Sequence, residues 1–148
     1  MRQVPANSHA AAHVAPHYLI IGDGRLARHF HTYFTLEHLK FSQWCRRESQ
    51  SQLAQGIRQS THVLLAIADP AIESFISEHP AVLERRCVHF SGALVSPQVP
   101  SAHPLMTFSR APYSLETYRS VHFILEQGRG SLADLMPGLT NHFSEIDP

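Results

Sequence analysis

Apolar residues in this chain fall into two rhythms that take turns. Short unbroken runs, "HYLII" (17–21), "THVLLAIA" (61–68) and the start of "CVHFSG" (87–92), are what strands covered on both faces require. Between them the apolar positions are spaced by three and four. Leu26, Ala27, Phe30, Tyr33 and Phe34 predict an amphipathic helix from Arg25 to about His38, with Arg28, His29 and His31 largely outside its apolar stripe. "KFSQWC" (40–45) reads as the next strand, and "SQSQLAQGIRQS" (49–60) as a weaker helix interrupted by Gly56. Asp69-Pro70 stops the run at 61–68, with Asp69 expected to cap a helix that Pro70 enters. That helix, "AIESFISEHPAVLERR" (71–86), should break near Pro80. "AHPLMTF" (102–108) and "SVHFILE" (120–126) read as later strands. Glu116 and Tyr118 are expected at the surface. Ser131 with Asp134 resembles a capping box that opens a short helix, interrupted at Pro137-Gly138.

Strands alternating with helices imply parallel pairing through right-handed crossovers. The fold class is therefore α/β, a three-layer Rossmann-type sandwich with a mostly parallel sheet. Ligands of such folds bind beyond the carboxyl ends of the strands. Residues 1–16, rich in Ala, Pro and His, read as a loose arm, and residues 17–148 as the folded domain.

Composition changes this picture little. The chain of 148 residues carries twelve Lys plus Arg against twelve Asp plus Glu, which leaves no basic footprint for nucleic acid. The absence of a long apolar segment argues against a membrane span or secretory signal, and a cytoplasmic location is expected. Cys45 and Cys87 have no metal or redox spacing and read as small buried hydrophobes. Among the twelve histidines, His9, His13 and His17 recur every fourth residue. Pro16 breaks that register and no carboxylate or thiol completes a site, so no metal is expected.

The chemistry concentrates in "YLIIGDGRLARHF" (18–30). Gly22, Gly24 and Ala27 satisfy G-x-G-x-x-A between a strand and a helix, the arrangement that brings a pyrophosphate onto a helix N-terminus. The backbone of Gly22, Asp23, Gly24, Arg25, Leu26 and Ala27 is the expected cradle. Arg25 opposes the helix dipole unless an anion is held there. Where an NAD site has an acid at the end of the second strand, this chain has Arg46 and Arg47. Guanidinium suits a phosphate better than a diol, so NADP is expected over NAD. Ala68 and Asp69, at the end of the third strand, lie beside the same edge.

The order "IIGDGRLARHF", "WCRR", "VLLAIADPAI", "VHFSGAL", "AHPLMTF" resembles the amino-terminal domain of a largely uncharacterised group of Rossmann-like proteins assigned as oxidoreductases. That group carries a carboxyl-terminal helical domain of unknown function. It belongs to the 6-phosphogluconate dehydrogenase-like superfamily, with ketopantoate reductase and prephenate dehydrogenase as relatives. The resemblance covers about residues 17–147 and implies an NADP-binding domain that meets a helical substrate domain. Residues 17–148 read as the NAD(P)-binding domain alone, with the helical domain expected to be absent, so a homodimer partner or a separate helical subunit is expected to complete the site. Many superfamily members use a lysine from the second domain. Lys40, the only lysine, falls at the wrong end of its strand for that role.

His103 then becomes the candidate acid/base, because His103-Pro104-Leu105-Met106 is similar to the His-Pro-Met segment of prephenate dehydrogenase. Thr107-Phe108 departs from the glycine expected next. Ser91 and Gly92 would line the same crevice, and His89 reads as a core histidine. Two functions remain open: hydride transfer to or from a small hydroxy or keto substrate, or a non-catalytic dinucleotide-binding or interaction module.

Overall fold

The computed structural model describes residues 14–148. His9, His13 and most of the expected arm lie outside the described residues. Four strands form a wholly parallel sheet in the order β2-β1-β3-β4: β1 (His17–Ile21), β2 (Lys40–Trp44), β3 (His62–Leu65) and β4 (Arg86–His89). The register sets Ile21 beside both Trp44 and Leu65, so three strands finish at one level. Connecting them are α1 (Arg25–Leu36), α2 (Gln50–Gln59) and α3 (Asp69–Glu78), the last followed by a 3-10 turn at Pro80–Glu84. The α/β layering expected from the alternation is present.

Side-chain alternation along β1 divides the core in two. Tyr18 and Ile20 pack with Ala27, Phe30 and Phe34 of α1, while Leu19 and Ile21 pack with Leu53, Ile57, Ile72 and Ile76 of α2 and α3. All four β1 residues are buried, which is why that strand reads as an unbroken apolar run.

A second, mixed sheet of three strands follows the parallel one. β5 (Ala102–Pro104) pairs antiparallel with β6 (Phe123–Glu126), and β6 pairs parallel with β7 (Phe143–Ile146). A single parallel bridge between His89 and Ser101 joins the two sheets. Of "AHPLMTF" only the first three residues are strand. Pro104 has no amide to extend the ladder. The run expected at 120–126 begins at Phe123, because 115–120 belong to α4 (Leu115–Ser120), capped by the Ser114 hydroxyl. α5 (Leu132–Leu135) carries the Ser131–Asp134 capping box read from the sequence.

Three burial expectations need correction. Tyr118 is 2% exposed, since α4 turns it into the space between α1 and β6. His29 is buried because the loop after β5 folds over the face of α1 that holds it. Cys45 lies just past β2 and is half-buried, whereas Cys87 is buried and its thiol is pushed up to about 12 by burial.

Candidate functional site

The glycine turn begins where β1 runs out of pairing. The Gly22 amide donates to the Trp44 carbonyl at 2.8 Å, and the residue adopts φ +125°. A Cβ at this position would stand 2.3 Å from the Ala66 carbonyl oxygen, so neither the backbone angle nor the space admits a side chain. Gly24 differs. Its φ is −75°, and nothing lies within 4 Å of where a Cβ would be. It occupies the N-cap of α1, no side chain caps the helix, and no acid sits in its first turn. The first-turn amides of Arg25, Leu26 and Ala27 therefore lack helical acceptors and form the positive end of a 12-residue dipole. Ala27 is fully buried against the sheet, which lets the helix lie close.

Beside this turn lies a cleft of about 370 Å³. Gly22, Asp23 and Gly24 line one side, Trp44, Cys45 and Arg46 another, and Ala66, Ile67 and Ala68 the floor. Ala71, Ser74, Phe75 and Glu78 close it from α3. Those four were missed as lining residues. Their helical spacing, one face of the helix after the third strand, is the signal that could have found them.

The arginines divide their work. Arg46 lines the cleft, whereas Arg47 pairs with Asp23 at 2.7 Å across its mouth, with both side chains largely in solvent. Contacts to the Cys45 thiol and to Asp23 hold the Arg47 guanidinium further above its ordinary range. Arg25 does not stand over the helix end; its Nη1 donates to the Phe108 carbonyl at 3.2 Å.

Asp69 does not cap α3. The N-cap is Ala68, and the Asp69 carboxylate instead accepts the Ser91 hydroxyl proton at 2.7 Å. Ser91 Oγ also accepts the amides of Ala93 and Leu94, at 3.2 and 2.9 Å. This buried hydroxyl ties the loop after β4 to the start of α3. His103 sits nearby on β5. Its Nδ1 lies 3.0 Å from the Phe90 carbonyl, an obligate acceptor, so the proton of the neutral ring is on Nδ1 and the lone pair on Nε2. The ring packs over Gly92, where a Cβ would come within 2.9 Å of Nε2. Ser91, Gly92 and His103 are thus brought together, but none of the three lines the cleft beside the glycine turn. Lys40 opens β2 and is exposed at the opposite end of the sheet.

His89 is a core histidine. Its Nδ1 accepts the Ser91 amide, its Nε2 has no partner among the described residues, and burial holds it below the ordinary imidazole range. Among the described residues no three His, Cys, Asp or Glu side chains group as a metal site would need. No described helix is long and apolar enough to cross a membrane.

No protein-family model and no curated protein matches this chain. Solved structures do match in fold. A protein provisionally assigned as an NADP oxidoreductase from Bacteroides fragilis superposes with a TM-score of 0.60 at 18% identity, over 89% of this chain and 61% of its own. A provisionally assigned prephenate dehydrogenase from Corynebacterium glutamicum gives 0.67 at 8% identity, over 90% and 56%. A reductive aminase from Aspergillus terreus, in complex with NADPH and ethyl-5-oxohexanoate, gives 0.60 at 10% identity, over 90% and 55%. The described chain therefore has the Rossmann-like fold found in these proteins and spans little more than half the length of each.

Proposed function

We propose that this chain is the NADP(H)-binding domain of an oxidoreductase. The observation that carries the reading is the pair of glycines before an uncapped helix. Gly22 is forced tight against Ala66 while Gly24 leaves open space before free amides, the arrangement a pyrophosphate needs. The amides of Arg25, Leu26 and Ala27 would hold the diphosphate. Arg46, with Arg47 released from Asp23, would hold the ribose phosphate. The apolar floor of Ala66, Ile67 and Ala68 would lie under the sugar. Fold-mates that carry NADPH, among them a reductive aminase, support the same assignment.

The bound nicotinamide supplies or accepts a hydride; this chain's residues would position the substrate and move a proton. His103 would take that step. Its Nδ1–H is spent on Phe90, which leaves the Nε2 lone pair as the base. The substrate is a small hydroxy or keto compound, and a second domain, subunit or copy of this chain would complete the walls of the crevice.

The second reading is a binding module without turnover. It is favoured by Ser91, whose hydroxyl is already consumed by Asp69 and two amides. Both readings meet one experiment, in which NADPH and NADH are titrated against nicotinamide fluorescence. Arg46→Ala with Arg47→Ala should weaken NADPH at least about tenfold and NADH by less than about threefold. Equal affinities that the double substitution leaves unchanged would overturn the NADP assignment. Turnover of a hydroxy- or keto-acid panel that is lost in His103→Ala selects the enzyme, and tight binding without turnover selects the module.

A further inference from the structure

A second concave site lies at the opposite edge of the sheet. A cleft of about 540 Å³ opens beside Arg86, the first residue of β4, away from the glycine turn at the strands' carboxyl ends. Three arginines, Arg85, Arg86 and Arg129, line it together with Gln98, and no Asp or Glu does.

Two of these groups are fixed in place before any ligand arrives. Arg85 donates from Nε to the Ile57 carbonyl at 2.9 Å and from Nη1 to the Glu84 carbonyl at 3.3 Å. Arg129 donates from Nη1 to the Ser96 carbonyl and to Glu126 Oε2, both at 2.6 Å, and from Nη2 to the Pro97 carbonyl at 3.2 Å. Glu126 neutralises Arg129 alone. Arg86 is exposed and its guanidinium has no hydrogen-bond or ion-pair partner among the described residues. Asp134, which the Ser131 hydrogen bonds and then the Arg86 charge hold below the ordinary carboxylate range, has its carboxylate engaged by the Ser131 amide and hydroxyl.

The cleft thus gathers an uncompensated positive charge that its own protein does not quench. Carbonyl-anchored guanidiniums lose little freedom on binding, and a concave wall focuses their field on one point. Gly128 and Gly130, with φ of +75° and +109°, flank Arg129, and neither amide donates to an acceptor among the described residues. Arginines lining one hollow, with glycine amides that have no acceptor among the described residues, suit the oxygens of a phosphoryl group.

We propose that this cleft binds a small phosphorylated compound, at a site separate from the dinucleotide cleft. Arg86 is the principal charge, and Arg85 with Arg129 sets the geometry.

The test is calorimetric titration with inorganic phosphate and with pyrophosphate at matched ionic strength. The proteins compared are wild type, Arg86→Ala, Gln98→Glu and the Arg46→Ala/Arg47→Ala double variant, each shown to be folded by circular dichroism. Gln98→Glu sets a carboxylate in the hollow at an exposed position and leaves every arginine in place. Pyrophosphate should bind wild type, weaken at least about tenfold in Arg86→Ala and in Gln98→Glu, and change less than about twofold in the double variant. Absence of binding to wild type overturns the proposal. So does binding that persists in both cleft variants, or loss confined to the double variant, which would put the anion beside Arg46 and Arg47. The dinucleotide assignment stands or falls on NADPH affinity, so the two can fail separately.

Discussion

At the scale of single residues, Gly22 and Gly24 look equivalent in a motif and are not equivalent in space. Gly22→Ala forces a Cβ onto the Ala66 carbonyl at a left-handed φ and should cost about 3 kcal/mol, read as a lowered midpoint in urea denaturation. Gly24→Ala meets no atom and keeps an ordinary φ. Its stability should change by less than about 1 kcal/mol while NADPH affinity collapses. The opposite ranking would break the cradle argument. Histidines give a second residue-level prediction. Burial holds His89 and His62 below the ordinary imidazole value of 6.5, and burial followed by Lys40 does the same for His17. The unfolded chain therefore takes up protons first as pH falls below about 6.5. Stability is fully present above that pH and is lost on descending towards the lower folded-state pKa values. The urea midpoint should drop between about pH 7.5 and about pH 5. His89→Asn, which keeps an acceptor for the Ser91 amide, should flatten part of that slope.

The element scale is governed by how α1 is covered. His29 Nε2 lies 2.6 Å from the Ser109 carbonyl and so donates to it, which leaves Nδ1 to accept the Tyr118 hydroxyl at 2.8 Å. The Tyr113 ring stacks on the imidazole at 4.7 Å and the Tyr113 amide donates to the same Tyr118 oxygen. With Arg25 on the Phe108 carbonyl, these bonds strap the loop after His103 onto the helix that opens at the glycine turn. His29→Ala removes one buried and one half-buried hydrogen bond together with the aromatic contacts of the ring, for about 2–3 kcal/mol. Hydrogen exchange should rise first in residues 107–113 and leave β1 and β3 protected. Uniform loss of protection would refute the strap. None of this was legible in the sequence. His29 and Tyr118 are 89 positions apart, and helical periodicity ranks a histidine as polar wherever the loop later falls. The runs read as strands at 17–21, 61–68 and 87–92 were legible because both faces of β1, β3 and β4 are covered, although β3 stops at Leu65 and β4 at His89, short of the ends of their runs.

Over the whole molecule, one side chain ties the second sheet to the first layer. Asn141 is buried; its Nδ2 donates to the carbonyls of Tyr118 and Val121 at 2.8 and 2.9 Å, and its Oδ1 accepts the Tyr33 hydroxyl at 2.7 Å. Burial, followed by the Glu37 charge, pushes the Tyr33 phenol up to about 12, so that donor is kept through the neutral range. Asn141→Leu leaves the Val121 carbonyl and the Tyr33 hydroxyl unpaired, while the Tyr118 carbonyl keeps the Val121 amide, and should cost about 2–3 kcal/mol, seen as a loss of cooperativity between tryptophan fluorescence, which reports Trp44, and far-ultraviolet dichroism. Coincident, unshifted transitions would show that β6 and β7 are held by other means.

What the sequence determined by itself was local: two kinds of apolar spacing, a G-x-G-x-x-A turn between them, and arginines at the end of the second strand. Steric limits on φ and the two side-chain periods act over a few residues, so they can be read from a few residues. Tertiary structure alone decided that Asp69 turns to Ser91, that Arg47 closes on Asp23, that His29 is buried and that three arginines line one cleft at the far edge. Each of those depends on which distant backbone arrives beside the group, because hydrogen bonds and ion pairs are short-ranged and pair whatever the fold brings within about 3 Å.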